Sequence, residues 1–318
     1  MMTLTEMRYI VALAQEKHFG RAANSCYVSQ PTLSVAIKKV EGLLRASLFE
    51  RGINEVRVTP LGEKIVEQAK KVLQEAVKLD EIAATIGDPL NGSLRVGVIY
   101  SVAPYLFPKL IPAVHKKAPN MPLFLKEDFT HNLINSLKSG DIDVAVVALP
   151  CKEVGLVSQS IYEEQFKIIV PAGHKLANKE NLKKHFRIPT DELNPNEILL
   201  LGHGNCFRDQ VIESCPHIKQ QFQRENPIPS YIEGSSLETL LHMVESGSGI
   251  AVMPNTALSK KVLQNKDELV KVLEFADPVP FRTIGLVWRV TFPRTKAVLT
   301  LKSAILNCGL NGVNWTDK

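Results

Sequence analysis

Two thiols nine positions apart, Cys206 and Cys215, sit in the stretch "GHGNCFRDQVIESCPH", residues 202–217. The residues between them read as helix. At ~1.5 Å rise per residue a helix would hold the two Cα atoms roughly 13 Å apart, whereas a disulfide needs about 4.4–6.8 Å. The pair cannot bond while the helix persists. A bond would require the segment to unwind, which is what a two-state switch needs. Cys206 follows a glycine-containing loop at the helix start, where free N–H groups and the helix dipole favour thiolate, and Arg208 adds positive charge nearby. Cys215, next to Pro216, has no such help. The chemistry therefore assigns Cys206 as the peroxidatic thiol, oxidised to sulfenic acid, and Cys215 as the resolving thiol. Two duller readings stay open on these residues alone. The cysteines could simply be packed side chains, or His203, Cys206, Cys215 and His217 could bind zinc, although their spacing is not that of a finger or ribbon.

The elements that position this pair follow from the rest of the chain. A length of 318 residues suits two or three structural units, and 45% hydrophobic with 22% charged residues is an ordinary globular composition. A formal charge of +5 permits an anionic partner. The N-terminus has no secretory pattern and no apolar run nears the ~20 residues that span a bilayer, so a cytoplasmic protein without a membrane partner is expected. Five cysteines in such a chain do not form a disulfide framework. From Ser93 onward strands such as "SLRVGVIY" and "DIDVAVVAL" alternate with helices, which predicts an α/β unit built on parallel sheet with helices on both faces. A second set of elements follows, giving two lobes, lobe I over about 93–165 and 270–318 and lobe II over about 166–269. Gly247-Ser248-Gly249 falls between a helix and a strand, the wrong order for a dinucleotide-binding turn.

The first sixty residues predict three short helices. Thr3 and Glu6 form a capping box, and Ser29 caps a third helix with Pro31 in its first turn. Leu33, Ile37, Val40 and Leu44 give that helix an apolar stripe, and its other face carries Gln30, Thr32, Ser34, Lys38 and Lys39. Such side chains suit a major groove, where Gln pairs with adenine edges, Ser and Thr reach base or phosphate, and Lys meets phosphate. Between residues 63 and 87 the chain is helical in composition. Ile65, Ala69, Val72, Ala76, Leu79, Ala83 and Ile86 recur at spacings of four and three, the pattern of a helix that pairs with a second copy. "GDPLNG", residues 87–92, is a hinge.

"HFGRAANSCYVSQPTLSVAIKKVEGLLRASLFERG" with "VRVTPLGE" resembles the winged helix-turn-helix of LysR-type transcriptional regulators. Its landmarks are Ala22-Ala23, the run Ser29 to Ser34, Leu48-Phe49-Glu50-Arg51 and Thr59-Pro60-Leu61-Gly62. The resemblance implies an all-α winged helix-turn-helix domain (1–60), a long dimerisation helix and hinge (61–92), and a two-lobed α/β regulatory domain (93–318) of the periplasmic-binding-protein kind. Ser29, Gln30, Pro31, Thr32, Ser34, Lys38 and Arg51 would face double-stranded promoter DNA, and residues 52–58 would form the wing. Val35 departs from the polar residue or glycine of many relatives. Within the family, "GNCFRDQVIESC", "SSLETL" and "RTIGLVWR" resemble the hydrogen-peroxide sensors. That likeness implies a reversible Cys206–Cys215 disulfide and a peroxide pocket of Ser101, Thr130, Asn205, Arg208, Asp209 and Arg282. Asn205 replaces the histidine of some relatives and Ser101 the threonine of others. The resemblance further implies a dimer of dimers, contact with RNA polymerase, and a glutaredoxin- or thioredoxin-like reductant for reset. It implies a regulator, not an enzyme, with no bound cofactor, because peroxide is consumed as the signal. A metabolite-sensing regulator of the same fold and a thiol peroxidase are the competing readings.

Overall fold

The computed structural model describes residues 1–51, 56–84, 88–177, 187–222, 233–264 and 268–316. The chain divides into two units, Met1–Ile86 and Gly87–Lys318.

The first unit opens with α1 (Leu4–Glu16). Its capping box is closed in both directions, Thr3 accepting from the Glu6 N–H and Glu6 from the Thr3 N–H. α2 (Phe19–Ser25) and α3 (Gln30–Leu44) follow, α3 capped by Ser29 with Pro31 in its first turn. Leu33, Ile37 and Val40 pack with Ile10, Leu13, Ala22 and Ala23 in one small core. Leu44, expected on the same stripe, is exposed, because the helix ends there and Arg45 turns left-handed. A ribbon of β1 (Phe49–Arg51) and β2 (Val56–Val58) comes next. Its tip, residues 52–55, lies outside the described residues. α4 (Pro60–Ala84) is started by Thr59, whose hydroxyl accepts from the Gly62 N–H at 2.9 Å and donates to the Ser47 carbonyl at 2.9 Å. Gly62 is required there, since a Cβ would overlap the Leu48 carbonyl oxygen. The start of α4 packs onto its own domain through Ile65 and Val66, and Ala69 is buried, while Leu79 is exposed. The Ala83 side chain and Ile86, further along the expected seam, lie outside the described residues.

Lys39 of α3 reaches back to Glu6 of α1 at 2.8 Å. The Lys39 ammonium, then the Thr3 N–H, hold the Glu6 carboxyl down at about 2. A lowered folded-state pKa stabilises above the unfolded value of roughly 4.3 and is lost as pH falls toward the folded one. Thermal melts of the first unit's signal should therefore decline more steeply between pH 5 and 2 in the unmodified chain than in Glu6→Gln; parallel curves would refute this assignment.

In the second unit three parallel strands lie in the order β4 (Leu123–Asp128), β3 (Leu94–Ile99), β5 (Val144–Leu149). α5 (Ala103–Lys117) and α6 (Thr130–Ser139) connect them. The sheet is not purely parallel as the β-α-β order suggested. β11 (Phe281–Arg289) adds antiparallel to β5, and β6 (Leu156–Pro171) adds antiparallel to β11. β6 serves both lobes. Its first half lines β11, and its second half pairs with β9 (Ile250–Pro254) and β10 (Val270–Glu274). One core gathers β3–β5, α5, β11 and the closing helix α11 (Thr295–Leu306); a separate core gathers β7 (Ile198–Leu201), α7 (Cys206–Ser214), α9 (Leu237–Glu245), β9 and β10. Between α7 and α9 lie α8 (Pro216–Phe222) and β8 (Glu233–Gly234), and α10 (Lys260–Leu263) precedes β10. Val270 to Phe275 belong to the second core, so the chain returns to lobe I after Phe275 and not at 270. Among the described residues no helix is long and apolar enough to cross a membrane.

Candidate thiol site

Cys206 is the first residue of α7 and Cys215 the residue that ends it. Both are free thiols, and the helix between them is unbroken. Their surroundings differ more than the sequence indicated. Half-buried Cys206 packs against the core of lobe I, although its helix belongs to lobe II. Cys215 is fully buried in the core of lobe II. Burial pushes its thiol up to about 12. At neutral pH a buried Cys215 thus stays a protonated thiol. Separate cores at opposite ends of a helix also keep the two sulfurs from sharing one zinc ion.

Asn205 occupies the N-cap position, buried and without a side-chain capping bond, and Gly204 takes φ +86°. The start of α7 faces a cleft of about 510 Å³ whose walls include Cys206, Asp209 and Gly204 on one side and Thr130, His131 and Cys151 on the other. Asp209 is one turn from Cys206, on the same helix face. Thr130 is the first residue of α6 and not its cap. Phe129 stands at the N-cap, and Asp128 accepts from the Phe129 N–H and from the Asn132 amide. The Thr130 hydroxyl is left buried with no hydrogen-bond partner. Leaving such a buried group without a partner costs about 1–3 kcal/mol.

Ser101 and Arg282 form a second, buried cluster. Arg282 Nη1 donates to Ser101 Oγ at 2.7 Å and Nη2 to the Ser101 carbonyl at 3.1 Å. Its Nε donates to Glu164 Oε1 at 2.8 Å. The other Glu164 oxygen accepts from the Thr256 hydroxyl at 2.5 Å and from its N–H at 3.1 Å. The Arg282 guanidinium also lies 4.9 Å over the ring of Phe207, the residue after Cys206. Arg282 thereby ties lobe I to the first turn of α7. Glu164 escaped the sequence reading, yet β6 gives a signal for it: Tyr162, Glu164, Phe166 and Ile168 alternate on the buried face. Arg208 is placed elsewhere. Its guanidinium bonds the Leu201 carbonyl at 2.8 Å and Glu233 at 2.6 Å, within lobe II. The expected pocket therefore resolves into Cys206, Asp209 and Thr130 at the cleft, Ser101 with Arg282 beside Phe207, and Arg208 apart.

On the first unit, Ser29, Gln30, Pro31, Thr32 and Lys38 are exposed and Ser34 is half-buried. Ser29 and Thr32 also bond each other at 2.8 Å. Lys39 is held by Glu6. Arg51 closes β1, and its side chain lies outside the described residues. Tyr27 and Val35, both strongly exposed, flank the polar face.

Residues 4–63 match the model of the bacterial regulatory helix-turn-helix proteins of the lysR family, and residues 87–307 match the LysR substrate binding domain. The chain belongs to the LysR family. Among the LysR regulators it resembles is the DNA-binding transcriptional dual regulator OxyR of Escherichia coli K12, 36% identical over 304 residues, 96% of this chain and 95% of that one. The hydrogen peroxide-inducible genes activator of Dickeya chrysanthemi is 37% identical over 292 residues, covering 92% and 91%. Full-length OxyR of Pseudomonas aeruginosa, solved with one Cys-to-Asp substitution, superposes with a TM-score of 0.72 at 44% identity, covering 98% and 99%. The LysR architecture of helix-turn-helix plus two-lobed α/β domain is thus present over nearly the whole chain.

Proposed function

We propose that this LysR-family protein is a cytoplasmic, hydrogen-peroxide-responsive regulator of antioxidant genes, switched by a reversible Cys206–Cys215 disulfide. The observation that carries the proposal is the division of one thiol pair between two cores at opposite ends of an intact helix, in a chain whose relatives are named for peroxide induction. The Cys206 thiolate attacks one peroxide oxygen, the O–O bond breaks, and hydroxide leaves and is protonated to water. The Thr130 hydroxyl donates to the peroxide, and Arg282 holds Ser101 with its own proton free to donate. Asn205 and Asp209 complete the polar wall, and Arg208 anchors the loop before α7 to lobe II. Cys206 sulfenic acid and the Cys215 thiol then condense with loss of water. Because Cys215 starts buried, resolution and not peroxide attack contains the conformational step, and it unwinds α7.

Ser29, Gln30, Pro31, Thr32, Ser34, Lys38 and Arg51 would meet palindromic promoter DNA, two copies being set on successive half-sites by pairing along α4, where Leu79 is exposed. A dimer of dimers, contact with RNA polymerase, and reset by a glutaredoxin- or thioredoxin-like protein complete the proposal. No resident cofactor enters it, and the thiols turn over once per signal, unlike those of a peroxidase. Footprinting on promoter DNA tests it. The protected length should change on stoichiometric peroxide and return with dithiothreitol; an unchanged footprint, shifted instead by a small metabolite, would favour the cleft-ligand reading. Thr130→Val should slow sulfenic acid formation roughly tenfold, the worth of one hydrogen bond of about 1.4 kcal/mol, with the melting temperature unchanged or raised. Stopped-flow peroxide kinetics would check this, and an unaltered rate would remove Thr130 from the site.

A further inference from the structure

Three neighbouring parallel strands deliver side chains to one edge of lobe I. Ser101, Thr130 and Cys151 each stand two residues beyond the carboxyl end of β3, β4 and β5 respectively. The start of α7 is docked on that edge. Cys151 and Cys206 line the same cleft, both are half-buried, and both pack against the lobe I core. Cys215 shares none of this. We propose that Cys151 is a second resolving thiol for Cys206, forming a Cys151–Cys206 disulfide across the cleft without unwinding α7. The proposal rests on the reading of Cys206 as the peroxide-reactive thiol.

The step balances with peroxide as the only oxidant. Peroxide converts the Cys206 thiolate to sulfenic acid. The Cys151 thiol then gives up its proton, its sulfur attacks the Cys206 sulfur, and the hydroxyl leaves as water. A thiol reductant returns both cysteines to thiols. Geometry favours Cys151 as the faster partner. It already lines the cleft with Cys206, whereas Cys215 must leave a packed core. Burial, and then the Glu153 carboxylate, raise the Cys151 thiol, with Lys138 opposing. That keeps Cys151 protonated at neutral pH, so it is not the thiol that meets peroxide first. The consequence is a staged response: once Cys215 leaves its core, its thiol loses its proton, its sulfur attacks the Cys206 sulfur, and Cys151 leaves and takes up a proton, so Cys206–Cys215 replaces Cys151–Cys206. A Cys151–Cys206 bond would protect the sensing sulfur from further oxidation while α7 stays helical, holding the chain in its reduced-state DNA contact.

The test uses the full chain, fully reduced, with stoichiometric hydrogen peroxide and non-reduced peptide mapping in the presence of dimedone. In Cys215→Ala most Cys206 should appear in an intrachain Cys151–Cys206 cross-link. In Cys151→Ser/Cys215→Ala the dimedone adduct on Cys206 should rise at least about tenfold over Cys215→Ala. The unmutated chain, acid-quenched along a time course, should show Cys151–Cys206 before Cys206–Cys215, which keeps the test independent of whether the variants fold. A dimedone-trapped Cys206 with Cys151 free in Cys215→Ala, or a time course holding only Cys206–Cys215, overturns this proposal and leaves peroxide sensing by Cys206 intact. A Cys206 that stays unmodified everywhere overturns both.

Discussion

Cys206→Ser should abolish the peroxide response completely. A serine hydroxyl at the start of α7 keeps the size and the hydrogen-bonding capacity of the thiol, so the fold and the basal DNA contact should survive. What disappears is the thiol that attacks peroxide. Serine is not ionised at neutral pH and forms no sulfenic acid, so stoichiometric peroxide should leave the footprint of this variant fixed while it changes that of the unmodified protein. Cys215→Ala should behave differently. Peroxide attack continues, but the long-range bond cannot form, so the footprint stays in the reduced pattern although Cys206 is oxidised. Measuring both thiol oxidation and footprint separates the two variants. A Cys206→Ser protein that still responds to peroxide would remove the thiol from the account.

Arg282→Ala should damage both stability and reactivity. Arg282 and Glu164 are almost wholly buried, and the pair is closed at 2.7 Å. Removing the cation leaves an uncompensated buried carboxylate, a change that costs about 3–5 kcal/mol against a total stability of roughly 5–15 kcal/mol. It also frees Ser101 and removes the guanidinium over Phe207, beside Cys206. Sulfenic acid formation should fall by on the order of 10²-fold, the usual loss for one electrostatic donor. The double variant Arg282→Met/Glu164→Gln distinguishes the two effects. It should recover most of the melting temperature, because no buried charge remains unpaired, but not the peroxide rate. Recovery of both would make Arg282 purely structural.

The parts of this molecule carried by local spacing were legible in the sequence. The capping box of α1, the cap and proline of α3, and the helix between Cys206 and Cys215 are each fixed by residues within one or two turns of one another. The Thr59–Gly62 turn was legible only as a family landmark; its physical reason, a hydroxyl serving two backbone groups and a glycine against a carbonyl, needs Leu48 and Ser47 in place. Long-range pairings were not legible. Glu164 and Arg282 are 118 positions apart, and nothing near either residue announces the other. The return of the chain to lobe I comes after the expected 270, because the strand Val270–Glu274 pairs with the second half of β6, a partner nothing in its own residues names. A threonine before a helical run usually caps it, and only the structure shows that Thr130 does not. Asp128 serves the turn, and Thr130 is left to the cleft. Cys151, at the end of an unremarkable strand, gains a meaning only when β3, β4 and β5 line up.

The central claim is that peroxide joins two sulfurs that the folded helix keeps apart. Mass spectrometry of the reduced, unmodified chain before and after stoichiometric hydrogen peroxide, with peptides mapped without reduction, tests it most directly. At completion the account predicts a loss of two hydrogens and a Cys206–Cys215 cross-link, reversed by dithiothreitol. Both thiols remaining reduced at that dose, with the 206–215 peptide unchanged in mass, would contradict it.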